Sequence, residues 1–259
     1  MTFPVVSEGH INTFITPYGK ISLLKNESII GGEFRKGNYW DIKSIEMLQQ
    51  YIDPDKNILE IGGHCGTDTI VYASYLNEKS KVFVYEPQKN LYNILEKNIK
   101  QNNLSDKIIP YNKGVFCFNG VGTMDAIDLD TMSLVQNRYT TEKMYGCNFG
   151  GVGIGVGGEP VTFTTIDDME HNNIGFIHCD AQGAEQFIFS KGKETIRRDR
   201  PVIFYEDPLF DDGKFIDRIL TAYPDNSNEG NFDIKNYCVN ELGYTKTLID
   251  GPNILLIPN

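Results

Sequence analysis

Five short, almost wholly apolar runs punctuate the chain: 58–61 (ILEI), 81–85 (KVFVY), 107–111 (KIIPY), 175–179 (GFIHC) and 202–205 (VIFY). Runs without polar alternation suit strands of a parallel sheet covered on both faces. Helical patterns lie between them. One runs from Thr67 to Leu76, another over 88–101 with Leu91, Leu95 and Ile99 on one face, a third begins near Ala184, and a fourth covers 215–223. A last strand is expected over 254–257. Strands alternating with helices specify an α/β fold with a mostly parallel, doubly wound sheet.

The first 56 residues stand outside this rhythm. Apolar runs at 11–16 and 20–24 flank Pro17-Tyr18-Gly19 and predict a β-hairpin. Ile42, Ile45, Leu48 and Ile52 then recur at helical spacing. Asp53-Pro54 ends that helix, because proline disfavours the α conformation in the residue before it. The organisation read from this is a hairpin-and-helix extension, 1–56, packed on a domain spanning 57–259. The 259 residues amount to roughly 1.7 domains of typical size, enough to bury a core without staples. A glycine-rich insertion near 116–160 interrupts the domain. Its stretch 146–158 (GCNFGGVGIGVGG) lacks the Lys-Ser/Thr pair of a phosphate loop. It reads as a flexible surface insertion or as a lid over the site.

Charge narrows the partners. With 24 Lys and Arg against 35 Asp and Glu, the formal net charge is −11, which disfavours nucleic acid. The one dense basic cluster, Arg197-Arg198-Asp199-Arg200, is expected to be the solvated end of a helix. No apolar stretch approaches the ~18–20 residues of a membrane span, and Met1-Thr2-Phe3-Pro4 does not resemble an export signal. Five cysteines (65, 117, 147, 179, 238) form no Cys-x-x-Cys pair, which points to reduced thiols and a cytoplasmic setting.

The chemistry concentrates in Glu60-Ile61-Gly62-Gly63-His64-Cys65-Gly66-Thr67-Asp68-Thr69. A strand ends in an acid, enters a glycine turn and opens a helix whose free N–H groups attract an anion. A nicotinamide-type fingerprint would need glycine at 64 and 67, where the chain has His64 and Thr67. The pattern Glu-x-Gly-x-x-x-Gly suits S-adenosylmethionine instead. Glu60 would help hold its ammonium, directly or through water. The helix start at Thr67–Thr69 would face its carboxylate, and Gly62, Gly63 and Gly66 would let the backbone pass beneath it. Glu86, at the end of the next strand and followed by Pro87, lies 20 residues past Gly66, where a carboxylate can accept both ribose hydroxyls. Together the two motifs form the cofactor half-site of a class I, Rossmann-like methyltransferase.

The downstream sequence resembles the FkbM family of S-adenosylmethionine-dependent methyltransferases. The resemblance rests on Glu86-Pro87, on Leu95, Asn98, Asn102 and Asn103, and on Thr165-Ile166-Asp167-Asp168. It rests most specifically on His178-Cys179-Asp180-Ala181-Gln182-Gly183-Ala184-Glu185, followed by Arg200-Pro201-Val202-Ile203-Phe204-Tyr205-Glu206. His178 stands where the family usually carries lysine. The resemblance implies O-methylation of sugar or natural-product hydroxyls, with a small-molecule or glycan acceptor.

Asp180 and Glu206 both end parallel strands on the side where open α/β sheets bind ligands. Transfer to a hydroxyl needs a base as the oxygen attacks, which makes Asp180 the first candidate and Glu206 the second. His178 lies on the same sheet face, deeper in, as a base or as a hydrogen-bonded core histidine. Glu185 either serves the site or favours its helix N-terminus. Asp180, Glu206 and Asp207 would offer oxygen ligands to a divalent metal, an alternative that is not favoured. The triplets Asp53-Pro54-Asp55 and Asp128-Leu129-Asp130 are what chance gives so acidic a chain. A noncatalytic cofactor-binding domain of the same fold is the alternative of a different class.

Overall fold

The computed structural model of the chain describes residues 2–127, 146–207, 213–249 and 251–259. The N-terminal region forms a three-stranded antiparallel sheet of β1 (Val5–Glu8), β2 (Ile11–Thr16) and β3 (Gly19–Leu24). Helices α1 (Ile30–Lys36) and α2 (Ile42–Leu48) follow. The hairpin falls where expected, but β1 was not anticipated: all four of its residues are exposed, so no core pattern marks it. Helix α1 starts across Gly31-Gly32, poor helix formers. The buried Glu27 carboxylate compensates by accepting the N–H groups of Ile29 and Gly31.

The remaining strands are β4 (Asn57–Ile61), β5 (Val82–Tyr85), β6 (Ile108–Tyr111), β7 (Gly114–Val115), β8 (Gly120–Asp125), β9 (Gly157–Thr164), β10 (Ile174–Cys179), β11 (Val202–Glu206), β12 (Tyr244–Leu248) and β13 (Asn253–Pro258). Between them run α3 (Thr67–Tyr75), α4 (Lys89–Gln101), α5 (Glu185–Ser190), α6 (Lys193–Asp199) and α7 (Lys214–Ala222). The main sheet has seven strands in the order β12-β13-β11-β10-β4-β5-β6. Neighbours from β11 to β6 pair in parallel, while β13 is antiparallel to both β11 and β12. Chain order runs one way from β4 to β6 and the other way from β10 to β11. The switch point therefore lies between β4 and β10, and a ligand crevice is expected at its carboxyl edge.

Strand alternation divides the core into two layers. Ile58, Val82, Val84, Phe176 and Phe204 face α1 to α4, whereas Leu59, Ile61, Ile177, Ile203 and Tyr205 face α5 to α7. Asn98, fully buried on α4, ties the extension to the domain. Its Oδ1 accepts the Ser22 N–H at 2.7 Å, and its Nδ2 donates to the carbonyls of Ser22 at 2.9 Å and Cys65 at 2.7 Å. One side chain thereby fixes hairpin, helix and glycine loop together.

One expectation needs correction, that of a surface loop at the insertion. The described part of the insertion is neither a surface loop nor free of strands. β7, β9 and β8 form a third sheet, and Cys147, Phe149, Val152 and Ile154 are buried. The glycines allow this burial: a Cβ on Gly155 would lie 2.6 Å from Asp125 Oδ2. The basic cluster does end a helix, α6, with Arg197 and Arg198 exposed and Arg200 half-buried. Its guanidinium stacks 4.8 Å from the Tyr244 ring and donates to the Leu242 carbonyl. Asp128 and Asp130 lie outside the described residues.

Candidate active site

β4 ends at Ile61 and the backbone turns through residues 62–66 into α3. The loop lies against the ends of both neighbouring strands. Gly62 adopts φ 89°, and a Cβ there would run into the Asp180 carbonyl; a Cβ on Gly63 would strike Val84. The N–H groups of Gly62 and Gly63 both donate to the Tyr85 carbonyl, at 3.0 and 3.1 Å.

Glu86 follows β5 and is 3% exposed. Its Oε2 accepts the His64 N–H at 2.8 Å and its Oε1 accepts the Gln88 N–H at 2.7 Å. A carboxylate has about four acceptor positions, so each oxygen can take another donor. Burial pushes its pKa up to about 8, outweighing the two amide bonds that favour the ionised form; Glu159 and Asp180 add repulsion.

Three cavities meet at this edge of the sheet. The first is apolar, walled by Ile61, Tyr85, Pro87, Val115, Met124 and Ile154. The second is polar, with Gly62, His64, Glu86, Asp180 and Gln182 below Ile30 and Gly150. The third, of about 230 Å³, holds His178, Asp180 and Glu206 with Trp40, Asp41 and Asp68. Asp180 lines both the second and the third. Residues 146–155 strap over the first two. The Cys147 N–H donates to the Asn26 carbonyl, the Ser28 N–H to the Cys147 carbonyl and the Gly155 N–H to the Thr123 carbonyl. Gln88 Nε2 donates to the Phe149 carbonyl at 2.9 Å.

Register places the other candidates. His178 pairs with Glu60 on one side and Phe204 on the other, so the three share the sheet face under α3. His178 is half-buried, with Tyr72 Oη 3.3 Å from its Nδ1. Burial lowers its pKa to about 4, which leaves it neutral at pH 7. Glu60 is 2% exposed and lines none of the three cavities; burial, then repulsion from Asp68, raises its pKa well above the usual carboxylate range. Thr67 and Thr69 are likewise buried away from the cavities. Pro87 lines the first two. Glu185 is buried and accepts the Ala181 N–H at 2.7 Å, bracing the turn after β10.

Of the metal alternative, Asp207 pairs with Lys235 at 2.8 Å. Among the described residues no three His, Cys, Asp or Glu side chains group to hold a metal ion. The third cavity also contains residues not singled out from the sequence. Trp40 and Asp41 reach it only because the extension folds back over the sheet edge. Asp68, just past the glycine turn, has its pKa raised to about 8 by burial, with Asp41 and Asp180 adding to the effect.

The chain resembles the FkbM methyltransferase of Methylobacillus flagellatus KT at 12% identity and TM-score 0.48, covering 79% of this chain and 44% of that one. The present chain thus spans less than half of that protein. The TYW2 protein of P. horikoshii, solved with MeSAdo, matches at 12% identity and TM-score 0.46 over 97% of this chain and 71% of that one. An O-methyltransferase from Bacillus cereus, solved with SAH, matches at 16% identity and TM-score 0.42 over 82% and 78%. No curated protein sequence matches the chain. The sequence profile described as the methyltransferase FkbM domain matches residues 60–233. That stretch runs from the glycine turn through Glu86 and Asp180 to beyond β11, and by it the chain belongs to the FkbM family of methyltransferases, with the class I α/β fold.

Proposed function

We propose that the protein is an S-adenosylmethionine-dependent O-methyltransferase acting on a hydroxyl of a sugar, glycan or related small molecule. The observation that carries this reading is the shared position of Asp180 in the polar cavity beside Glu86 and in the cavity of His178 and Glu206. A group lying between two adjoining cavities can serve the point where a donor in one meets an acceptor in the other.

The residues present fit the cofactor. Glu86 has acceptor positions left for two ribose hydroxyls, and the first cavity offers apolar walls to an adenine ring. Gly62 lines the first two cavities and packs against the Asp180 carbonyl, where a Cβ would clash. When bound, the cofactor supplies an electrophilic methyl on a sulfonium. Asp180 would accept the proton of the acceptor hydroxyl as its oxygen attacks, a role worth about 10²–10⁴-fold in rate. Glu206 would orient the acceptor, and neutral His178 would back the cavity without adding charge. Trp40 and Phe204 give that cavity aromatic surface beside carboxylates, a combination suited to the C–H face and hydroxyls of a sugar ring. Titration with S-adenosylhomocysteine, followed by a labelled-methyl screen against neutral glycosides and oligosaccharides, tests the proposal.

A further inference from the structure

The third cavity has an acidic wall set among aromatic rings. Its lining carries the carboxylates of Asp41, Asp68, Asp180 and Glu206 and, among the described residues, no lysine or arginine. His178 adds no charge at pH 7, since burial holds its pKa at about 4. Trp40 comes from the N-terminal extension and Phe204 from β11. Uncharged donors reach three of the acids and leave their charge in place. Ser44 Oγ donates to Asp41 at 2.6 Å, Thr67 Oγ1 to Asp68 at 3.1 Å and Gln182 Nε2 to Asp180 at 3.0 Å. The crowding is visible at Asp68, whose pKa rises to about 8 through burial first, then repulsion from Asp41 and Asp180.

Like charges gathered around a cavity favour a cationic guest. Among the described residues no three acidic, histidine or cysteine side chains converge to hold a metal ion, and a space of about 230 Å³ suits a larger cation. The faces of Trp and Phe attract ammonium groups on their own account, so the rings and the acids point independently to the same kind of guest. We infer that the acceptor is an amino sugar, its protonated amine held against Trp40 by Asp41 and Asp68 while a neighbouring hydroxyl meets Asp180 and takes the methyl. This deepens the acceptor reading above and rests on it. A protonated amine has no lone pair to attack with, so oxygen stays the nucleophile. Neutral sugars enter the same cavity more weakly, and a uronate would bring a further negative charge among the four.

The test measures labelled-methyl transfer at about pH 7, where an ordinary amine is protonated. The acceptors are methyl hexopyranosides with an amino group at each ring position in turn, each beside its hydroxyl parent and its N-acetyl derivative, together with a methyl uronoside. At least one amine should show kcat/KM about ten- to a hundredfold above its parent and its N-acetyl derivative. The label should be in an alkali-stable methyl ether, with no transfer to the uronoside. Asp68→Asn should cut the amine-over-parent ratio by about tenfold. So should Asp41→Asn, since asparagine suits the left-handed φ of 47° at that position. General destabilisation lowers both acceptors alike and leaves the ratio where it was. Equal kcat/KM for amine and parent throughout the panel, label on nitrogen, or an unchanged ratio in both folded variants would overturn the inference and leave the methyltransferase reading standing. No transfer to any glycoside by protein that binds S-adenosylhomocysteine would overturn the sugar-acceptor reading, and this inference with it.

Discussion

Replacing Glu86 by glutamine tests the best-defined polar group in the site. The carboxylate accepts buried N–H groups from His64 and Gln88 at 2.8 and 2.7 Å. Glutamine offers one oxygen to one of them and turns an NH₂ toward the other, leaving a buried donor unpaired at a cost of about 1–3 kcal/mol. At about 2–4 °C per kcal/mol for a chain of this size, melting should drop by roughly 2–12 °C. On the ligand side, the variant loses one charge-assisted acceptor for the ribose, about 1.5–3 kcal/mol. S-Adenosylhomocysteine should therefore bind ten- to a hundredfold more weakly. The pH dependence supplies a control. With a pKa near 8 in the free protein, Glu86 is mostly protonated at pH 7, whereas the ionised form is the one that accepts two hydroxyls. Affinity should rise about tenfold per pH unit from 6 towards 8 and level off above it. The glutamine variant should lose that slope. His64, at about 4, and His178, also at about 4, do not titrate in this window. Asp68 does, but it lies in the other cavity, so a slope that persists in Glu86→Gln would refute the assignment to Glu86. Unchanged affinity in a folded variant would refute the site.

Three further outcomes follow from the geometry. Gly62→Ala should lower stability by about 2 kcal/mol or more and weaken cofactor binding beyond tenfold, because its Cβ meets the Asp180 carbonyl at positive φ; a normal melt with normal binding would contradict this. Asp125→Ala removes the bidentate partner of Arg218, whose Nη2 lies 2.9 Å from Oδ1. Since Arg218 is one-third exposed, the loss should be about 2 kcal/mol rather than that of a fully buried pair, and thermal denaturation can measure it. The amides of Cys147 and Gly155 are hydrogen-bonded in the strap. Their hydrogen exchange should be at least about tenfold slower than in unstructured chain and slower again with S-adenosylhomocysteine; free exchange in both states would show that the strap does not close the site.

The central strands β4, β5, β10 and β11 are the plainest in the sequence, because burial on both faces keeps them almost wholly apolar. β1 and β12 escaped notice because they expose nearly every residue; only Tyr244 of β12 is buried. The insertion looked like a loop because its glycines suggest flexibility, whereas here they let backbone pack against Asp125 and against the roof of the cavities. Glu86 and Asp180 could be found because a charged residue ending an apolar strand at the carboxyl edge has few structural uses. Trp40 and Asp41 could not, because their place in the site depends on how the extension folds over the sheet, which no local pattern records. Glu60 is the acid near the end of β4; it shares the sheet face under α3 with His178 and lines none of the three cavities.

The most direct measurement is single-turnover methyl transfer by the purified protein, with labelled S-adenosylmethionine and a panel of neutral glycosides, in the parent and in Asp180→Asn. The account predicts label in an alkali-stable methyl ether on the acceptor, with cofactor affinity nearly unchanged in the variant and transfer slowed by about 10²–10⁴-fold. Transfer at the parent rate by a folded Asp180→Asn protein would contradict it.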